Sequence, residues 1–317
     1  MKYHNNVKWA LVLSGGGAKG LAHVGVLKAL HDMGVPKPSM VAGTSMGAII
    51  GGIYTAGMSP PDIYRFAKDS FDLREYMDSF VYKMNGVLGK VFQTGQILGS
   101  LASRSGIDSG QHIQKLLEKL TSNKKIEDAE IPFRCNAVDL CTGKEVVFRS
   151  GSMASAIRAS MGFPGFFDPV VSGDMCLVDG GLKNNLPVYI PRTEGIKFVL
   201  AVDVGGISNT SLENLTTSQQ VIYRSLELIL QNGYRDKSRR FLRANLTIHA
   251  SDGASPLDFD KSGQFIDLGE KAIYNYQKEV EMFFGRGMPA YISRRKHKVC
   301  GILGDEPIYR ELEEADE

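Results

Sequence analysis

The 317-residue sequence has no stretch near the ~20 consecutive apolar residues that a membrane-spanning helix needs, so any membrane contact is expected to be peripheral. Cysteine is scarce. Cys135, Cys141, Cys176 and Cys300 form no C-x-x-C pair, and no histidine or acidic residue gathers round them at zinc spacing. That excludes a zinc module and a disulfide scaffold. The four are expected to be reduced, mostly buried thiols of a cytoplasmic chain. An excess of one charge is also missing: 37 basic residues meet 35 acidic ones, for a net charge of +2. No nucleic-acid partner is expected from such a balance. The apolar run Trp9 to Leu13 is too short for a secretory signal, and it leads into glycines rather than a cleavage site. Internal repeats, low-complexity segments and clear linkers are absent, which leaves one large domain with a loosely attached tail as the expected organisation.

Glycine is what the chain does have, 35 in all, clustered in turns. The segment Met40 to Gly52 reads as a strand, a sharp turn and a helix, with Ser45 at the tip. Gly43-Thr44-Ser45-Met46-Gly47 fits G-x-S-x-G, the nucleophile elbow. The turn is so tight that side chains at its two flanking positions would collide, so Gly43 and Gly47 stand there. The helix that follows aims backbone N–H groups and the positive end of its dipole at the reacting centre. Taken alone, the pentapeptide fits a glycine-rich turn without chemistry equally well.

A second glycine cluster lies upstream. The strand Lys8 to Leu13 runs into Ser14-Gly15-Gly16-Gly17-Ala18-Lys19-Gly20, followed by a helix over Leu21 to Met33. Three readings compete. Gly15, Gly17 and Gly20 satisfy G-x-G-x-x-G, but a dinucleotide site needs an acidic residue about 20 positions on, and Met33 to Met40 holds none. A phosphate-binding P-loop needs Ser or Thr after Gly-Lys, and Gly20 follows Lys19. The third reading is an oxyanion hole, in which bare N–H groups converge on a developing negative oxygen. It alone needs a nucleophile nearby. A right-handed crossover would bring this loop and Ser45 to the same carboxyl edge of a parallel sheet.

A serine nucleophile needs a base. His4 and His297 are expected in flexible chain ends, His31 and His112 on helix surfaces, and His23 inside the helix after the glycine loop. Only His249, near the end of a late strand, stands where a hydrolase triad histidine would. Asp179 is better placed: it ends a strand and precedes Gly180 and Gly181, so its carboxylate can sit at a sheet edge. Partial burial would raise its affinity for a proton. Elsewhere, strands are expected over Ile131 to Leu140, Lys144 to Phe148, Val170-Val171, Met175 to Val178, Lys197 to Val204 and, as the last of the core, Ala244 to Ala250. Helices are expected over Gln111 to Leu120, Met153 to Ser160, Ser211 to Tyr234 and Asp267 to Phe284. Residues 71–109 mix apolar side chains with glycines and suit either a satellite core or a lid over an acyl-chain pocket. The basic run Arg294 to Lys298 is expected in the tail, solvated or touching anionic head groups.

Gly15-Gly16-Gly17-Ala18-Lys19-Gly20, Gly43-Thr44-Ser45-Met46-Gly47 and Asp179-Gly180-Gly181, in this order and spacing, resemble the patatin-like phospholipase family. The connecting text, such as Ala156 to Ser160 and Gly180 to Pro187, is similar to its bacterial branch. The resemblance covers roughly Trp9 to Val204. It implies a three-layer α/β/α sandwich with a mainly parallel central sheet, a domain over about 1–290 with a tail at 291–317, and hydrolysis of lipid acyl esters without a metal or other cofactor. It also implies Ser45 as nucleophile, Asp179 as base, no catalytic histidine, and Gly15, Gly16 and Gly17 lining the oxyanion hole. Lys19, Gly20, Gly43, Gly47, Gly180 and Gly181 are its further motif positions. The expected partner is a lipid or ester substrate. The rival expectation is a regulatory protein that keeps this fold and binds without turnover.

Overall fold

The computed structural model describes residues 3, 7–69, 108–206, 210–216, 221, 224–225, 228, 243–251, 256 and 258–300. The segment read as a lid or satellite core, 71–109, lies almost wholly outside the described residues, as do most of the helix expected over Ser211 to Tyr234 and the acidic end Glu311 to Glu317. Where 211–216 is described, it holds only a short 3-10 turn, Leu212–Asn214.

Among the described residues nine strands form one sheet. Six of them run parallel, in the order β3 (Phe133–Asp139), β2 (Met40–Gly43), β1 (Trp9–Leu13), β7 (Phe198–Asp203), β8 (Leu246–His249) and β9 (Lys298–Cys300). β4 (Lys144–Phe148) and β6 (Met175–Asp179) each pair antiparallel with β3, and β5 (Val170–Ser172) pairs antiparallel with β6. The sheet is mixed but mainly parallel, as expected.

Helices fill the crossovers. α1 (Ala22–Asp32) links β1 to β2, and α2 (Met46–Thr55), α3 (Pro60–Asp69) and α4 (Gln111–Leu120) come between β2 and β3. α5 (Met153–Ser160) joins β4 to β5, and the short α6 (Tyr189–Thr193) joins β6 to β7. After β8 come α7 (Ser262–Asn275), α8 (Gln277–Phe284) and α9 (Gly287–Arg295). Side chains of β1 alternate between two cores. Trp9, Leu11 and Leu13 enter the larger one with α1, α2 and α7; Ala10 and Val12 enter the smaller one with Val188 and Ile190. Both faces of the central strands are covered, so they read in sequence as continuous apolar runs rather than alternations. α7 crosses α1 at backbone distance. A Cβ on Gly25 would collide with the Ile266 carbonyl oxygen, and one on Gly269 with that of Ala22.

The pairing around β3 positions the site. Cys135 pairs with both Gly43 of β2 and Phe148 of β4, while Ala137 pairs with both Val146 of β4 and Asp179 of β6. A strand has two edges, so β4 occupies one of them and β2 and β6 share the other. These two run toward each other along that edge and stop about 7 Å apart, the rise of two residues. The turn after β2 and the last residue of β6 therefore face each other across a short gap.

Three expectations need correction. The sheet does not end with β8, because Lys298–Cys300 adds an edge strand. The helix expected over Asp267 to Phe284 is two helices, broken at Tyr276, with α9 following. The basic run is not a free tail: Arg294 is buried and donates to the Phe283 carbonyl at 2.8 Å and the Gly285 carbonyl at 3.1 Å, while Lys298 pairs with Glu279 at 2.9 Å. A three-residue strand in a basic run has no apolar periodicity to betray it. The four cysteines are free thiols, with Cys135 and Cys300 buried, Cys176 half-buried and Cys141 exposed.

Candidate active site

The turn after β2 is strained at one residue. Ser45 has φ 54° and ψ −121°, a backbone conformation that side chains other than hydrogen disfavour. Gly43 and Gly47 are required by close approach. A Cβ on Gly43 would strike the Gly47 carbonyl, and one on Gly47 the carbonyls of Leu13 and Ser14. The Thr44 N–H donates to the Leu13 carbonyl at 3.1 Å, which ties the elbow to the end of β1. The Ser45 N–H, pointing out of the turn, donates to the Ser160 hydroxyl oxygen at 3.0 Å. Ser160 ends α5 and is wholly buried.

Asp179 ends β6 and caps the short 3-10 turn Gly180–Leu182, accepting the Gly181 N–H at 2.8 Å. The Ser45 side chain lies beside this carboxylate and favours its charged form. The group is buried, and desolvation pushes its pKa up to about 6 against the lowering effect of the Gly181 N–H and the nearby Ser45 side chain. Gly180 packs on Asn136, whose carbonyl a Cβ would strike.

The glycine loop adjoins both. A Cβ on Gly15 would lie 3.0 Å from Ser45 Cβ, so the loop backbone touches the Ser45 side chain. The three glycines expected to offer N–H groups are not equivalent. The Gly15 N–H donates to the Asn185 carbonyl at 3.1 Å and is engaged. The N–H groups of Gly16 and Gly17 have no acceptor among the described residues. Lys19 is buried and donates to the Gly206 carbonyl at 2.8 Å, bracing the loop against the segment after β7. Gly20 packs on Met46, the first residue of α2. The structure thus brings Ser45, Asp179 and Gly15 to one place, with the other motif positions shaping the turns around them.

Three asparagines tie these elements together. The buried Thr44 hydroxyl donates to Asn136 Oδ1 at 2.7 Å, and Asn136 Nδ2 donates to the Asn184 carbonyl at 3.0 Å and to Glu145 at 2.8 Å. Asn185 Nδ2 donates to the Gly15 carbonyl at 3.2 Å. Sequence reasoning assigned no role to Ser160, Asn136, Asn184 or Asn185. Ser160 and the two adjacent asparagines did lie in the segments that carry the family resemblance.

The histidines stand apart from the pair. His249 Nδ1 lies 3.1 Å from Asp203 Oδ2, at the ends of β8 and β7, on the far side of β1 from Ser45. His23 is buried in α1, where its Nε2–H donates to the Ser14 carbonyl at 2.8 Å. Burial lowers its pKa to about 4, so it stays neutral at physiological pH. His31 and His112 are exposed, and His4 lies outside the described residues. Among the described residues no helix is long and apolar enough to cross a membrane.

The sequence model of the family described as "Patatin-like phospholipase" matches residues 11–191. Human "Patatin-like phospholipase domain-containing protein 6" is 35% identical over 206 residues, which are 64% of this chain and 14% of that protein. "Lysophospholipase NTE1" of Mycosarcoma maydis is 34% identical over 205 residues, 63% of this chain and 10% of that protein. The chain therefore spans less than a fifth of these curated relatives. They are animal and fungal, so they carry the family and not the bacterial branch. Among solved structures, VipD from Legionella pneumophila aligns at 16% identity and a TM-score of 0.48, over 87% of this chain and 67% of that one.

Proposed function

The chain belongs to the patatin-like phospholipase family, and from that premise we propose that it is a serine lipid acyl hydrolase acting through Ser45 and Asp179. The observation that carries this reading is the placement of the Ser45 side chain beside the buried Asp179 carboxylate, where the ends of β2 and β6 meet along β3. A carboxylate with a pKa near 6 is a far better base at neutral pH than one near 4, yet it is still ionised when the substrate arrives. In this reading Ser45 Oγ attacks the ester carbonyl carbon while its proton passes to Asp179. The negative oxygen of the tetrahedral intermediate is held by the N–H groups of Gly16 and Gly17. The intermediate then expels the alcohol, which takes the proton from Asp179 as it leaves. A water gives its proton to Asp179 and attacks the acyl-serine, and the fatty acid departs as Ser45 regains its proton.

The relatives named lysophospholipase make a single-chain phospholipid the first natural substrate to try. Contact with the lipid surface is proposed to be peripheral. A fluorophosphonate probe and a soluble nitrophenyl ester test the reading together. Labelling and turnover are expected in the wild-type chain, with both lost in Ser45→Ala and turnover lost in Asp179→Asn. A folded wild-type chain that is neither labelled at Ser45 nor active would instead support a binding protein that keeps the fold without chemistry.

A further inference from the structure

Asn185 grips Gly15 on both sides of one residue. Its carbonyl accepts the Gly15 N–H at 3.1 Å, and its side-chain Nδ2 donates to the Gly15 carbonyl at 3.2 Å. A carbonyl can only accept, so the orientation of the Asn185 amide follows from chemistry. Asn185 is buried, and its Oδ1 fills the place a Gly15 Cβ would take. The second hydrogen bond has a consequence one atom further on. The Gly15 carbonyl and the Gly16 N–H belong to one planar peptide unit, and it is trans, so the two point in opposite directions. Pulling that carbonyl toward Asn185 turns the Gly16 N–H away from Asn185, where it has no acceptor among the described residues. The same loop touches Ser45 at Gly15.

We propose that Asn185 is a positioning residue for the oxyanion donor: by holding the Gly15 carbonyl it fixes the direction of the Gly16 N–H. The inference rests on the hydrolase reading above. Its neighbour Asn184 works in the same frame, since the Asn184 carbonyl accepts from Thr44 and Asn136 beneath the nucleophile. One dipeptide after the Asp179 turn thus ties together the acid, the nucleophile and the anion-holding loop. A donor aimed in advance stabilises the transition state more than the ground state, so its loss is read in kcat.

The test compares a soluble ester with its thionoester, in which sulfur replaces the carbonyl oxygen and accepts hydrogen bonds poorly. Wild type, Asn185→Ala and Asn185→Asp are assayed as full chains; aspartate keeps the volume but has no N–H to donate. Both variants are expected to lose about 10- to 100-fold in kcat, with KM within about twofold. The wild-type preference for the oxygen ester is expected to shrink by a similar factor, with the acid limb of the pH profile unmoved. If Asn185→Ala fails to fold, the isosteric Asn185→Asp carries the comparison. Unchanged kcat, or a kcat loss with the oxygen-to-sulfur preference intact, overturns the proposal and leaves the hydrolase reading standing. A wild-type chain without Ser45-dependent turnover overturns the hydrolase reading, and this inference with it.

Discussion

The hydroxyl oxygen of Ser160 accepts the backbone N–H of Ser45 at 3.0 Å, so the end of α5 holds the strained residue of the elbow in place. Ser160→Ala would leave that N–H without its partner in a largely buried setting. The expected cost is about 1–3 kcal/mol of stability. Activity is expected to fall about tenfold or more, because a small displacement of a nucleophile is costly in rate. Urea unfolding and steady-state hydrolysis of a soluble ester measure the two effects. Full activity in a folded Ser160→Ala chain would show that the elbow keeps its geometry without this bond.

In the proposed mechanism the acid limb of the rate profile is set by Asp179. As the base it must be ionised, and its carboxyl is raised to about 6 by burial. The value of kcat/KM is therefore expected to be level above about pH 7 and to fall tenfold per unit well below pH 6. A profile level from pH 8 down to 5 would remove Asp179 from the role of base.

The same shift sets a stability effect of known sign. Folding raises the Asp179 pKa from 3.8 to about 6, so the folded state holds the proton more tightly than the unfolded one. The stability this contributes is complete below the unfolded value and is lost as the pH rises through the folded one. At pH 8 the wild type carries a buried charge that Asp179→Asn does not. The variant is expected to be more stable there by about 3 kcal/mol, with the advantage shrinking as the pH falls from 6 toward 4. Chemical denaturation at pH 8 and pH 4.5 reads the difference. A variant no more stable than wild type at pH 8 would mean that burial does not penalise the Asp179 carboxylate as its raised pKa requires.

What could be read from the sequence followed the range of the interaction. Gly43 and Gly47 were legible because a tight turn leaves its mark within five residues, and Met153–Ser160 because helical periodicity is local. Asp179 was legible through the two glycines behind it. The different fates of the Gly15, Gly16 and Gly17 N–H groups were not, since the acceptor of the Gly15 N–H is Asn185, 170 residues further along the chain. Nor was the reason Ser45 and Asp179 meet. It lies in β2 and β6 sharing one edge of β3, a pairing that no local pattern encodes. β9 and the break at Tyr276 escaped for a related cause: packing fixes them against weak local preference.

The central position of β1 also bears on how the molecule is made. Trp9–Leu13 leaves the ribosome before both its neighbours; β2 follows soon after, but the other edge of β1 waits for Phe198–Val202. Until then a wholly apolar strand has one row of backbone groups unclaimed, which invites association with other nascent chains. Synthesis stalled before Phe198 would release a chain with that edge still open.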